Sequence, residues 1–132
     1  MTSPRKRVVV FISGGGSNMM ALVAAAKAQD FPADIVGVIS GNDEMALGAI
    51  AALKEAGKLA NIKVGGFDGS PDAVAAIKAG ELQYTVLQPV AVFSEEAVKQ
   101  ADNVIKNGST GAKSEKQLFD CLLITKDNVD KY

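Results

Sequence analysis

Histidine and tryptophan are both missing from these 132 residues. Without histidine, no mechanism can use imidazole as base, acid or metal ligand. The single cysteine, Cys121, has no partner for a disulfide within the chain. With 14 basic and 15 acidic residues the net charge is −1, so no basic field exists for nucleic acid or an anionic membrane surface. No apolar run approaches the roughly 20 residues that a membrane helix needs. No secretory signal precedes the first apolar run, so the expected location is the cytoplasm, as for a recombinantly expressed protein. What is present is ordinary for a globular protein: 48% hydrophobic and 22% charged residues, enough apolar content to exclude disorder as the main state. The length suits one domain, residues 1–132.

Short β-branched runs alternate with Ala-rich amphipathic stretches. Val8 to Ile12, Asp34 to Ser40, Ile62 to Phe67, Leu82 to Gln88 and Leu118 to Ile124 read as five strands. Gly65 and Gly66 weaken the third of these, and Pro89 ends the fourth. Between them, Met19 to Gln29 reads as an apolar helix, with Met19, Met20 and Met45 as core fillers. Asn42 or Asp43 caps a second helix that ends at Gly57, and Ser70 with Pro71 starts a third that stops at Gly80. Ser94, followed by Glu95 and Glu96, opens a fourth that runs to about Lys106. Strict β/α alternation predicts a three-layer α/β/α sandwich with a five-stranded, mostly parallel sheet, flavodoxin-like or Rossmann-like. Val98, Ala101, Val104 and Ile105 of the fourth helix then need a partner, either the open sheet face or a second subunit in a homodimer. Cys121, inside an apolar run, reads as a packing residue.

The loop Gly14, Gly15, Gly16, Ser17, Asn18 sits between a strand and a helix, where helix amides and the macrodipole favour an anion. It lacks the Lys-Ser/Thr pair of a Walker loop and the spaced glycines of dinucleotide binding. Weak phosphate or sulfate binding and a plain tight turn both fit it. No paired carboxylates, metal-ligand cluster or cofactor motif accompanies it, so no catalytic residue, no metal and no cofactor is expected.

Arg7 to Ser40, with VVVFISGGGSNMMALVAAAK and DIVGVIS, resembles the amino-terminal β-α-β of phosphoribosylglycinamide formyltransferase. That resemblance implies a phosphate-holding role for Gly14 to Asn18, but the family's catalytic histidine has no counterpart here. From Asn42 onward, NDEMALGAIAALKEAGK, VGGFDGSPDAVAAIKAGELQYTVLQP and ADNVIKNG resemble the carboxy-terminal part of a periplasmic ribose-type sugar-binding protein, the receptor of an ABC transporter. This second resemblance places Asn42 and Asp68 where that family contacts sugar hydroxyls, and Gln88 where its hinge-side glutamine stands. Taken without it, Asn42 and Asp68 serve equally as cap or turn residues, and Gln88 as an exposed amide.

The two resemblances meet near Ser40 and Gly41. Together they imply a recombined or engineered chimera with no catalytic activity, a weak phosphate loop and a vestigial sugar site. The alternative is a sugar-binding module that keeps part of a ribose-type site. A working formyltransferase fragment is the least suited, for want of histidine.

Overall fold

The computed structural model describes residues 6–14 and 33–132. The elements are β1 (Lys6–Ile12), β2 (Ala33–Ser40), α1 (Asp43–Glu55), β3 (Lys63–Gly65), α2 (Pro71–Lys78), β4 (Tyr84–Leu87), α3 (Val90–Asn107) and β5 (Leu122–Thr125). Single 3-10 turns at Leu59–Asn61 and Val129–Lys131 complete them. The five strands form one sheet in the order of the chain, β1-β2-β3-β4-β5. The pairs β1 with β2, β2 with β3 and β3 with β4 are parallel. The α/β class with a five-stranded, mostly parallel sheet is therefore as the alternation predicts. The helix expected over Met19 to Gln29 lies outside the described residues, as do Met19 and Met20.

Contacts group the chain into two compact units. The first runs through Leu87 and resumes at Leu123–Tyr132; the second is Gln88–Leu122. In the first, Val38 and Val64 are register partners and join Ala46, Ala49, Ile50 and Leu53 of α1 with Ala73, Ala76 and Ile77 of α2 in one buried cluster. Leu82, Ile124 and Val129 close it. Both helices connect neighbouring strands, and right-handed crossovers of that kind place their helices on one face. The alternate residues of β1, Val9 and Phe11, are accordingly exposed.

Local chemistry explains the helix ends. The Asn42 side chain accepts from the Met45 amide at 2.9 Å, and Ser70 Oγ accepts from the Ala73 amide at 3.2 Å with Pro71 in the first turn. Gly65 and Gly66, at the carboxyl end of β3, provide space for neighbouring side chains. A Cβ on Gly65 would enter the Tyr84 ring, and one on Gly66 would enter the Asp43 carboxylate and stand 3.4 Å from the Ala46 Cβ.

The second unit is built on α3. Its helix starts at Val90 behind Pro89, a turn earlier than the Ser94 cap expected. Proline at a helix start has its φ already set and misses no hydrogen bond. The helix carries no buried residue, and Val98, Ala101, Val104 and Ile105 are exposed in the single chain. Phe93 meets Phe119 edge-on at 5.0 Å, and Gln100 donates to Gln117 at 2.8 Å. Lys99 lies 2.8 Å from Glu95 and 3.0 Å from Glu96. The hydrogen bond from Lys99 holds the Glu95 carboxyl below its ordinary range, with the ammonium charge acting the same way. Solvent screens this surface pair, and it adds little stability.

The strand expected over Leu118 to Ile124 is shorter and displaced, with Leu118 almost fully exposed. Cys121 is exposed as well, not a packing residue. Only Ile124 of that apolar run enters the core.

Candidate functional site

In open α/β sheets ligands bind beyond the carboxyl ends of the strands. Of the segments that leave those ends, the one after β2 carries Asn42 and the one after β3 carries Asp68, both in the first unit, while Gln88 follows β4 and belongs to the second. All three residues are half-buried. Asn42 is the helix cap that its residue type suggested, with extended backbone and its Oδ1 engaged by Met45. Its amide nitrogen, a donor of two hydrogen bonds, takes no part in that cap. Asp68 has φ +128, the one non-glycine residue with positive φ among the described residues. Such backbone is strained for an L residue, and strain of this kind gathers at ligand-binding positions. Gln88 opens the second unit, and its carbonyl accepts from the Val90 amide at 2.9 Å.

Asp43 ties the first two loops together, a role that sequence reading misses. Its side chain is buried at 1% exposure. One carboxylate oxygen accepts from the Ser70 amide at 2.7 Å. The other accepts from the Thr85 hydroxyl, also at 2.7 Å. The Thr85 oxygen in turn accepts from the Gly69 amide at 3.0 Å. Asn42, next to Asp43, and Asp68, two residues before Ser70, are thereby brought to one end of the sheet by a single buried carboxylate. Residue 43 is legible from sequence only as a second capping choice, because its partners stand 27 and 42 positions away.

A cleft of about 390 Å³ runs along α2 and is lined by Gly69, Pro71, Val74, Ala75, Lys78 and Tyr132. It contains neither Asn42 nor Asp68 and is not the same place. Of the phosphate-loop residues, Gly15, Gly16, Ser17 and Asn18 lie outside the described residues. Gly14 is described as exposed, with φ +85 and open space around its Cα.

Comparison with known proteins follows the carboxyl-end loops. The sequence model of the periplasmic binding protein domain matches residues 12–110, a span that crosses the junction expected near Ser40 and Gly41. A D-apiose import binding protein of Paraburkholderia graminis is 56% identical over 98 residues, which are 74% of this chain and 31% of the relative. The ribose import binding protein of Escherichia coli is 42% identical over 80 residues, 61% of this chain and 27% of the relative. A solute binding protein of Bacillus halodurans, solved with bound myo-inositol, superposes with a TM-score of 0.70 at 34% identity. That match covers 89% of this chain and 38% of the other. The chain thus spans about a third of the length of the relatives it matches. These matches overturn the cytoplasmic expectation: the domain family is periplasmic, and the sequence relatives are import binding proteins.

Proposed function

The chain belongs to the periplasmic binding protein domain family, and from that premise we propose that its first unit contributes one side of a binding site for a small neutral sugar. The observation that carries this reading is the joining of the Asn42 and Asp68 loops through buried Asp43, at the carboxyl ends of adjacent parallel strands. A sugar hydroxyl both donates and accepts. The Asp68 carboxylate accepts only and the Asn42 amide nitrogen donates only, so the two together suit neighbouring hydroxyls. A D-apiose or D-ribose type of pentose is the proposed ligand, in keeping with the names of the relatives. Binding, without bond-making chemistry, is the proposed activity. The recombined origin and the phosphate loop carry no part of this reading.

An amide NMR titration of the 132-residue chain with D-apiose and with D-ribose tests it. Saturable shifts at Asn42 and Gly69 are expected, with affinity near the millimolar end, about −4 kcal/mol, because one side of a site leaves much of the ligand wet. A flat response at tens of millimolar of both sugars overturns the reading. Gln88, in the other unit, is tested separately by Gln88→Ala in the same titration.

Asn42 allows cap and ligand roles to be separated. Asn42→Asp keeps a good capping oxygen, so stability is expected within about 0.5 kcal/mol of the parent, whereas Asn42→Ala costs about 1 kcal/mol. Both remove the amide donors, and both are expected to lose sugar affinity about tenfold, or about 1.4 kcal/mol. Urea unfolding beside the sugar titration reads the two effects. Retained affinity in Asn42→Asp would leave Asn42 a cap alone.

A further inference from the structure

We propose that Asp43 and Thr85 are positioning residues that preset the loop bearing Asp68 for its ligand. The functional half of this inference rests on the sugar-site reading above; the geometric half does not. Three successive amides of the loop are each held by a different acceptor. The Asp68 N–H donates to the Val86 carbonyl at 2.9 Å, the Gly69 N–H to Thr85 Oγ1 at 3.0 Å, and the Ser70 N–H to Asp43 Oδ2 at 2.7 Å. The last two acceptors belong to one buried pair, since the Thr85 hydroxyl donates its own proton to Asp43 Oδ1.

Gly66 shows how closely this pair is fitted, since a side chain there would enter the Asp43 carboxylate. In the held loop itself, a side chain at Gly69 would press on the Leu87 backbone and side chain. The residue in front of the held amides, Asp68, is the one with φ +128. A strained residue persists only where its surroundings over-determine it. Three fixed amides on its carboxyl side and at its own nitrogen do that here.

An apolar pair of the same shape would fill the space but would leave the Gly69 and Ser70 amides without acceptors, at about 1–3 kcal/mol for each buried donor. What an apolar pair cannot do is fix the Gly69 and Ser70 amides. A preset loop spares the ligand the cost of ordering it, which is how preorganisation raises affinity.

Thr85→Val keeps the shape, removes the acceptor for Gly69 and removes the donor to Asp43. Thr85→Ser restores both. In the full chain, hydrogen exchange of the Gly69 and Ser70 amides is expected to rise about tenfold in Thr85→Val while the Leu53 amide in α1 stays within about twofold. Thr85→Ser is expected to match the parent. Affinity for D-ribose is expected to fall about fivefold in Thr85→Val and to return in Thr85→Ser. If the valine variant does not fold, Thr85→Cys, a weak donor and weak acceptor, is expected to show the same pattern at lower amplitude. Unchanged exchange at Gly69, or an equal rise at Leu53, overturns the proposal. Equal sugar affinity in the parent and in Thr85→Val overturns its functional half. A parent that shows the exchange pattern but binds neither sugar overturns the sugar-site reading and leaves the preset loop standing.

Discussion

Ile124→Ala is expected to cost the first unit about 3 kcal/mol, within the range of about 2–5 kcal/mol for large-to-small core changes. Ile124 is fully buried although it follows a run of exposed residues. With Leu82 and Val129 it closes a cluster built from β1, β2, β3, α1 and α2, so its loss leaves a cavity that those elements cannot collapse to fill. For a unit of about 100 residues that loss corresponds to a fall in Tm of roughly 10–20 °C. Ile105→Ala, at a position 83% exposed in the second unit, is expected to stay within about 0.5 kcal/mol. Urea unfolding followed by circular dichroism reads both variants. Equal effects would mean that β5 is not part of the core.

Gly66→Ala is expected to destabilise by about 2–3 kcal/mol, because a methyl group cannot enter a packed interior without shifting its neighbours. Here the obstacles are the Asp43 carboxylate and the Ala46 side chain, both buried. Asp43→Ala removes the first obstacle but leaves the Thr85 hydroxyl and the Ser70 amide without their acceptor, at about 1–3 kcal/mol for each buried group. The double variant is therefore expected to be more stable than the sum of the single losses by more than about 0.5 kcal/mol. Strict additivity would sink the claim that Gly66 is required by Asp43 rather than by its own backbone.

Features decided by neighbours in sequence were legible. Ser70 with Pro71 announced α2, and Asn42 announced α1, because capping joins residues three apart. Asp34 to Ser40 read as a buried strand, and β2 covers it. Features decided across space were not. Leu118 to Ile124 has the composition of a strand, but only the end near Ile124 finds a core, and hydrophobicity alone does not say which end. Val98, Val104 and Ile105 repeat with helical spacing yet remain on the surface. Within the candidate site, Asn42 and Asp68 stood out through a family resemblance. Asp43 did not, because its meaning depends on Ser70 and Thr85. The strain at Asp68 was equally hidden, since aspartate carries no local demand for a positive φ.

The path of the chain also sets a timetable. β3 and β4 each reach their neighbour after a single α-helix, whereas β5 joins the sheet only after the excursion from Gln88 to Leu122. Closing a longer loop costs more entropy, so the segment around Ile124 and Val129 is expected to dock after the rest of the first unit. Contacts made after the transition state slow unfolding rather than speed folding. Loss of either side chain is therefore expected to raise the unfolding rate more than it lowers the folding rate. Because closure entropy grows only logarithmically, doubling the excursion adds about 0.6 kcal/mol. The crossing between Leu87 and Leu123 is thus a place where the fold tolerates insertion, and a much larger body could be spliced there while the sheet kept its register.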